Sequence, residues 1–349
     1  MKRVLDFDKP YYIAEIGGNH DGQLERAVSL TELAAKCGAN AVKFQNFSGR
    51  TLFNFEAYSE VAMSLSPHRR SVRDIEKLIE KYSVPVDWFI TLRKVCDDWG
   101  IDLITAPYDL DSLNETVPYI DVFKVGSGDL MWFEKIEALQ TTDRPVIIST
   151  GASKFAEIES VVKRLDSSKK IAILQCTSNY EGGDHNMQFT NLNVLKTYKN
   201  HWPKFHFGIS DHQKSLVPVI GAITLGCNVI ERHFTDDNTR DGADHRVALT
   251  PDDWQGMVKA GNQTYEALGS ADKIVEACEF GTRITQRRAL WFKHDMEKDQ
   301  IIQREDIEVL RPNNGKGFGA EQIENVIGRS LSSNVSARQL ICKKVLNQL

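Results

Sequence analysis

Phe205-His206-Phe207-Gly208-Ile209-Ser210-Asp211-His212 and Asn228-Val229-Ile230-Glu231-Arg232-His233 are two short, largely apolar runs, and each ends in residues suited to catalysis. Six further runs of this kind precede them: Tyr11 to Ile16, Asn40 to Gln45, Leu103 to Pro107, Val122 to Gly126, Pro145 to Thr150 and Ile171 to Thr177. Between the runs lie mostly segments with helical periodicity. A strand followed by a helix, repeated about eight times over roughly 250 residues, is the pattern of a (β/α)8 barrel, whose reacting groups stand where strands end. The sequence therefore predicts an α/β barrel with an active site at one rim.

The helical segments keep the period. Leu24, Ala27, Val28, Leu30, Leu33, Ala34 and Cys37 fall largely on one stripe, and Gly38 follows as a stop signal. Ile158, Val161, Val162 and Leu165 repeat the stripe, and Thr250-Pro251-Asp252-Asp253 supplies a cap, a first-turn proline and acids for the last barrel helix. A longer segment, about Asn46 to Gly100, separates the second and third strands. Its Ser-, Arg- and Glu-rich middle, Ser64 to Lys81, reads as an inserted loop with an extra helix, either walling a pocket or lying as a surface excursion. From about Gly269 the rhythm stops. The expected domains are a barrel over 1–268, a linker over 269–286 and a small β-rich module over 287–349, with turns at Arg311-Pro312-Asn313-Asn314-Gly315 and Gly317-Phe318-Gly319.

Composition narrows the function. The chain has 349 residues and a net charge of −5, with both signs interspersed, which argues against a general nucleic-acid grip. No apolar stretch reaches the roughly 18 residues of a membrane span, and the opening residues lack the apolar centre of a signal peptide. The six cysteines show no paired short spacing that suggests zinc or a redox dithiol, so free thiols in the cytoplasm are expected. Cys176 ends a strand, but no base adjoins it in sequence, and buried packing is its simpler reading.

The chemistry-bearing residues gather at strand ends. His212 and His233 follow consecutive strands, which places their imidazoles close together, and two neutral imidazoles can hold a divalent metal while leaving positions for substrate. The plainer alternative is that each only hydrogen-bonds its neighbours. Glu231 and Asp244 are nearby acids that could orient a ligand or join the coordination shell. His20, in Gly17-Gly18-Asn19-His20, could simply order the first loop. Lys43 and Lys124 sit within apolar strands, and burying them requires anionic partners such as a phosphate or carboxylate ligand. Ser127, Ser149, Ser178 and Ser210 occupy neighbouring strand ends and could offer hydroxyls to the same anion, although any one serine is most simply a turn residue. Glu15 points into the mouth, to manage protons, to bind sugar hydroxyls, or to pair with one of the lysines.

Read together, these residues resemble the N-acetylneuraminate (sialic acid) synthase family. The resemblance covers nearly the whole chain and rests on six motifs in order: Ile13-Ala14-Glu15-Ile16-Gly17-Gly18-Asn19-His20, Val42-Lys43-Phe44-Gln45, Phe123-Lys124-Val125-Gly126-Ser127-Gly128, Ile148-Ser149-Thr150-Gly151, Ser210-Asp211-His212 and Glu231-Arg232-His233-Phe234-Thr235. The ending, with Arg311-Pro312 and Gly328-Arg329, is similar to the antifreeze-like (SAF) module that follows the barrel in that family. The resemblance implies a metal-dependent condensation of phosphoenolpyruvate with an open-chain N-acylated amino sugar, giving a nine-carbon 2-keto-3-deoxy acid and phosphate. It implies that His212 and His233 hold Mn2+ or Mg2+, and that Lys43, Lys124, Ser127, Ser149, Ser178 and Ser210 clamp phosphoenolpyruvate. Glu15, Gln45, Tyr180 and Asp244 match positions at the sugar. The resemblance also implies a domain-exchanged homodimer in which Arg311 reaches the sugar's N-acyl group across the interface.

Three stretches depart from the family pattern. Thr105-Ala106-Pro107-Tyr108 stands where Ser-Thr-Pro-Phe is common, so one hydroxyl near the phosphate is missing or displaced; no proline follows Tyr180; and Ala243 stands where proline is usual. The acceptor is therefore open between N-acetylmannosamine and a diacetamido-trideoxyhexose. Two alternatives remain. One is a phosphorylated or shorter aldose acceptor, whose far end Arg69 or Arg70 could reach; the other is a sugar-binding or coat-assembly protein without turnover.

Overall fold

A computed structural model describes residues 5–47, 49–58, 80–179, 184–242 and 244–347. The chain divides into two compact units, Met1–Gly269 and Ser270–Leu349. In the first, eight parallel strands close into a barrel in sequence order: β1 (Tyr11–Glu15), β2 (Ala41–Asn46), β3 (Asp102–Pro107), β4 (Val122–Val125), β5 (Val146–Ser149), β6 (Ile171–Cys176), β7 (His206–Asp211) and β8 (Val229–His233). Each predicted run carries its strand. Helices α1 (Leu24–Lys36), α2 (Val86–Trp99), α3 (Leu110–Thr116), α4 (Phe133–Thr141), α5 (Phe155–Val162), α6 (Asn193–His201), α7 (Val217–Thr224) and α8 (Pro251–Leu268) follow the strands in turn.

Alternation along the strands separates two cores. Successive side chains point to opposite faces, so Tyr12, Ala14, Val42, Phe44, Leu103, Phe123, Ile148, Ile173 and Ile209 pack outward against the helices. Tyr11, Ile13, Ala41, Ile104, Val122, Ile147, Ala172, Leu174 and Val229 fill the barrel interior. Strands buried on both faces have to be apolar almost throughout. The next inward positions along the chain direction are Glu15, Lys43, Lys124, Ser149, Cys176, Ser210 and Glu231, with Ala106 of β3 the apolar exception, so polarity begins on the other strands where the apolar filling stops. The helices dock as their stripes require. Ala27, Leu30 and Ala34 of α1 are buried, Gly38 beyond it has φ +90, and the Thr250 side chain caps α8 by accepting from the Asp253 amide.

One glycine is fixed by the barrel wall. A Cβ on Gly208 in β7 would lie 1.7 Å from the Val229 carbonyl oxygen of β8, and backbone cannot swing aside as a side chain can. Gly208→Ala is expected to cost about 3 kcal/mol, at the upper end of overpacking penalties, because the strands have to part. Denaturant unfolding of the two proteins checks this, and equal midpoints would refute it.

Residues 59–79, which take in most of the Ser64 to Lys81 middle of the inserted segment with Arg69 and Arg70, lie outside the described residues. No described helix is long and apolar enough to cross a membrane. In the second unit, α9 (Phe280–Gln286) precedes a two-stranded antiparallel sheet of β9 (Ala289–Phe292) and β10 (Ile307–Leu310). Isolated bridges such as Met296–Val335 and Ile301–Ser330 tie its loops, around a core of Leu290, Phe292, Ile302, Val326, Leu331 and Ile341.

Candidate active site

The barrel mouth is organised around Glu231. Both its oxygens lie 2.9 Å from the Lys124 ammonium, which reaches from β4 on the opposite side of the barrel. The Ser210 hydroxyl donates to Oε1 at 3.0 Å, and the Lys43 Nζ stands 3.8 Å from the same oxygen. Lys43 in turn pairs with Glu15 at 2.7 Å, and the Gln45 amide donates to the other Glu15 oxygen at 2.6 Å. All four charged side chains are buried. The anionic partners that the buried lysines require are thus supplied within the chain, by Glu15 and Glu231.

Their protonation follows from the geometry. Burial opposes every charge here. The Glu231 carboxyl nevertheless stays well below the usual carboxylate range, because Lys124 and Lys43 face it and Lys124 and Ser210 hydrogen-bond to it. Burial is also outweighed at Lys43, which Glu15 and Glu231 together hold above the usual lysine range. Lys124 falls below that range, since burial acts with repulsion from Lys43 and only Glu231 opposes them strongly. Two ammonium groups therefore share the mouth with unequal hold on their protons.

The two histidines meet beside this cluster, with ring centroids 5.4 Å apart. His212 Nδ1 donates to the Thr177 carbonyl at 3.2 Å, which leaves Nε2 as the nitrogen that carries the lone pair in the neutral ring. Burial and the neighbouring His233 bring the His212 pKa down to about 3, so the ring is in the form that a metal binds. The His233 ring nitrogen Nδ1 lies 3.9 Å from Asp244. Asp244 is itself seated by the Gly18 amide at 2.8 Å, and a Cβ on Gly17, whose φ is +52, would lie 2.4 Å from its Oδ2 and 3.3 Å from Glu15 Oε1. That glycine is what lets Asp244 and Glu15 approach. Among the described residues no group of three or more His, Cys, Asp and Glu is placed to hold a metal. The donors brought together here are two imidazoles with ring centroids 5.4 Å apart, a set that a divalent cation can use when non-protein oxygen takes its other positions.

The serines divide. Ser210 serves Glu231. The Ser149 hydroxyl is buried and finds no hydrogen-bond partner among the described residues, a costly condition unless something else supplies one. Ser127 Oγ accepts from the Gly151 amide at 3.0 Å. A Cβ on Gly151 would lie 2.8 Å from Ser127 Oγ and 2.1 Å from Ser178 Oγ, so both hydroxyls close on that glycine. Ser178 is exposed, 3.8 Å from the buried Cys176 thiol, and burial raises that thiol, as its packing role requires.

Of the remaining predicted residues, Tyr180 lies outside the described residues and Arg311 is exposed in the second unit. His20 orders the first loop: its Nε2 donates to the Tyr82 carbonyl at 3.2 Å and its Nδ1 accepts from the Gly22 amide at 3.1 Å. Sequence reasoning placed Glu231 beside the metal or ligand and did not see it as the partner of both lysines. The signal was its parity with His233, two residues on along β8, which turns both into the mouth.

Comparison with known proteins gives the family and the fold. The family model described as NeuB family matches residues 30–273. The N,N'-diacetyllegionaminic acid synthase of Legionella pneumophila is 29% identical over 94% of this chain and 92% of its own length. The human N-acetylneuraminate-9-phosphate synthase is 29% identical over 97% of this chain and 92% of its own. The crystal structure of the N-acetylneuraminic acid synthetase of Leptospira borgpetersenii superposes with a TM-score of 0.67 at 24% identity, covering 78% of this chain and 90% of that one, which bears on the fold.

Proposed function

The chain belongs to the NeuB family, the N-acetylneuraminate synthase family that its motifs resemble, and from that premise we propose that it is a nonulosonic acid synthase. It condenses phosphoenolpyruvate with the aldehyde of an N-acylated amino sugar, N-acetylmannosamine or a diacetamido-trideoxyhexose. The enol carbon of phosphoenolpyruvate bonds to the aldehyde carbon, water adds to the carbon that bears the phosphate, and phosphate leaves to give the 2-keto acid. The observation that supports this best is the buried pair of lysines facing two glutamates beside two imidazoles.

Lys43 and Lys124 attract the phosphate and carboxylate of phosphoenolpyruvate, while Ser149, Ser210, Ser127 and Ser178 offer hydroxyls around them. Glu15, tied to Lys43 and Gln45, stands where the two substrates meet and can pass a proton between the attacking water and the sugar oxygen. Gln45 and Asp244 address the acceptor's hydroxyls, a role shared with Tyr180. His212 and His233 would hold Mn2+ or Mg2+, which when bound supplies Lewis acidity to the sugar carbonyl. A homodimer with Arg311 addressing the N-acyl group completes the proposal, and the six free cysteines suit the reducing cytoplasm. A phosphorylated acceptor is the second reading, favoured by the human relative, whose name carries a phosphate and whose identity to this chain equals that of the legionaminate enzyme.

Phosphate release from phosphoenolpyruvate, measured with a panel of amino sugars and their 6-phosphates with Mn2+ before and after chelation, tests the proposal. Turnover with a free amino sugar that chelation removes is the expected result. Turnover with phosphosugars alone would select the second reading, and none with any aldose would leave only a binding role.

A further inference from the structure

Tyr108 brings to the mouth a hydroxyl that none of these roles uses. It directly follows β3, the strand between those of Lys43 and Lys124. Ile104 of β3 faces the barrel interior, Ala106 is the next inward position, in register with Gln45, and Tyr108 is the next. Ala106 has no polar atom, and the Thr105 hydroxyl is spent inside the wall on the Phe44 carbonyl at 3.3 Å. Among the described residues of this strand end, the phenol is thus the hydroxyl that enters the mouth.

Its ring is packed by neighbours. The Lys135 ammonium, fully buried and paired with Asp129 at 2.6 Å, lies 5.2 Å from the Tyr108 ring centroid, and Phe47 packs against the ring edge-on at 5.6 Å. The phenol oxygen lies 3.4 Å from where a Cβ on Gly126 would stand, against the backbone that leads from Lys124 to Ser127. It makes no hydrogen bond to a described residue, and burial keeps it protonated by raising its pKa. A neutral donor matters in a mouth whose two lysines already face two glutamates: it adds attraction for an anion without adding a buried charge.

We infer that the Tyr108 hydroxyl donates a hydrogen bond to an oxyanion, phosphoryl or carboxylate, of the enolpyruvyl phosphate that Lys43 and Lys124 hold. This rests on the function proposed above. Calorimetric titration of phosphoenolpyruvate, without acceptor, into the wild type, Y108F and Y108L tests it, together with KM for both substrates and inhibition by inorganic phosphate. Y108F keeps the platform for Lys135, so its melting temperature stays close to that of the wild type. It should bind phosphoenolpyruvate about 10–100-fold more weakly, as expected for a lost bond to a charged group, with KM for the acceptor unchanged. Inhibition by phosphate weakens in parallel if the contact is to the phosphoryl group, and stays unchanged if it is to the carboxylate. Equal binding by wild type and Y108F overturns the inference whatever Y108L does, since a loss seen in Y108L alone assigns the ring to packing. Absence of binding by the wild type itself overturns the functional reading beneath it.

Discussion

Lys124→Met is expected to lower phosphate release by about 10²–10³-fold, the scale seen when one charge-stabilising donor is removed from an enzyme site, and to destabilise the barrel as well. The two losses have separate causes. In the wild type, Lys124 contributes to a bidentate pair with Glu231 inside the barrel, 2.9 Å to each oxygen. Methionine fills a similar volume but leaves Glu231 buried with Ser210 and a more distant Lys43, and breaking a buried pair in this way typically costs about 3–5 kcal/mol. Replacing both partners, as in Lys124→Met with Glu231→Leu, removes the unpaired charge and should recover most of the stability, since apolar replacement of a whole buried pair is often neutral. Activity should not recover, because the anion site has lost its ammonium. Chemical denaturation and phosphate release measured around this double-mutant cycle separate the effects; a double variant that regains turnover would show that Lys124 serves only to neutralise Glu231.

The pH dependence carries an independent sign. Glu231 is held below its ordinary pKa, so its contribution to stability is complete above the usual glutamate range and is lost as the pH falls toward the depressed folded value. Removing the Lys124 ammonium lifts the Glu231 pKa. Glu231 then contributes less, so the acid limb of the stability curve in Lys124→Met should be shallower than in the wild type and end at higher pH, and an unmoved limb would mean that Lys43 and Ser210 suffice to hold the carboxylate.

The barrel was legible because its strands are buried on both faces, which forces short runs of almost unbroken apolar residues at regular intervals. The run from Tyr11 to Ile16 carries the strand Tyr11–Glu15, and the run that opens at Phe205 carries the strand His206–Asp211. The site was legible for a related reason. A charge of inward parity near the end of such a run reaches the mouth, which singles out Glu15, Lys43, Lys124 and Glu231, whereas Asp211 and Arg232, of outward parity, pair with each other at 3.5 Å. Which ammonium meets which carboxylate was not legible, because Lys124 and Glu231 come from opposite sides of a closed barrel and their distance depends on closure and strand stagger. Nor could the sequence distinguish Ser149, left without a partner among the described residues, from Ser127, which receives a backbone amide. The second unit was read only as short strands and turns, since isolated bridges and 3-10 turns impose no period.

His233→Ala is expected to abolish binding of Mn2+, followed by the loss of the free-ion electron paramagnetic resonance signal during titration, and to reduce turnover by about 10³-fold, as several kcal/mol of carbonyl polarisation disappears. The fold should survive. His233 stands at the chain-direction end of β8, above the apolar interior, and its backbone bonds to the neighbouring strand do not need the ring. With its partner gone, His212 remains as a single imidazole, and one protein donor does not hold Mn2+ against water at micromolar concentration. His20→Ala provides the contrast. That ring is also buried near the mouth, but its two nitrogens are committed to Tyr82 and Gly22, so its removal should lower stability, by about 1–3 kcal/mol for the buried groups left without partners, while Mn2+ binding persists. A His233→Ala protein that still takes up Mn2+ and still turns over would remove the imidazole pair from the chemistry and leave the lysine and glutamate cluster to act on the acceptor without it.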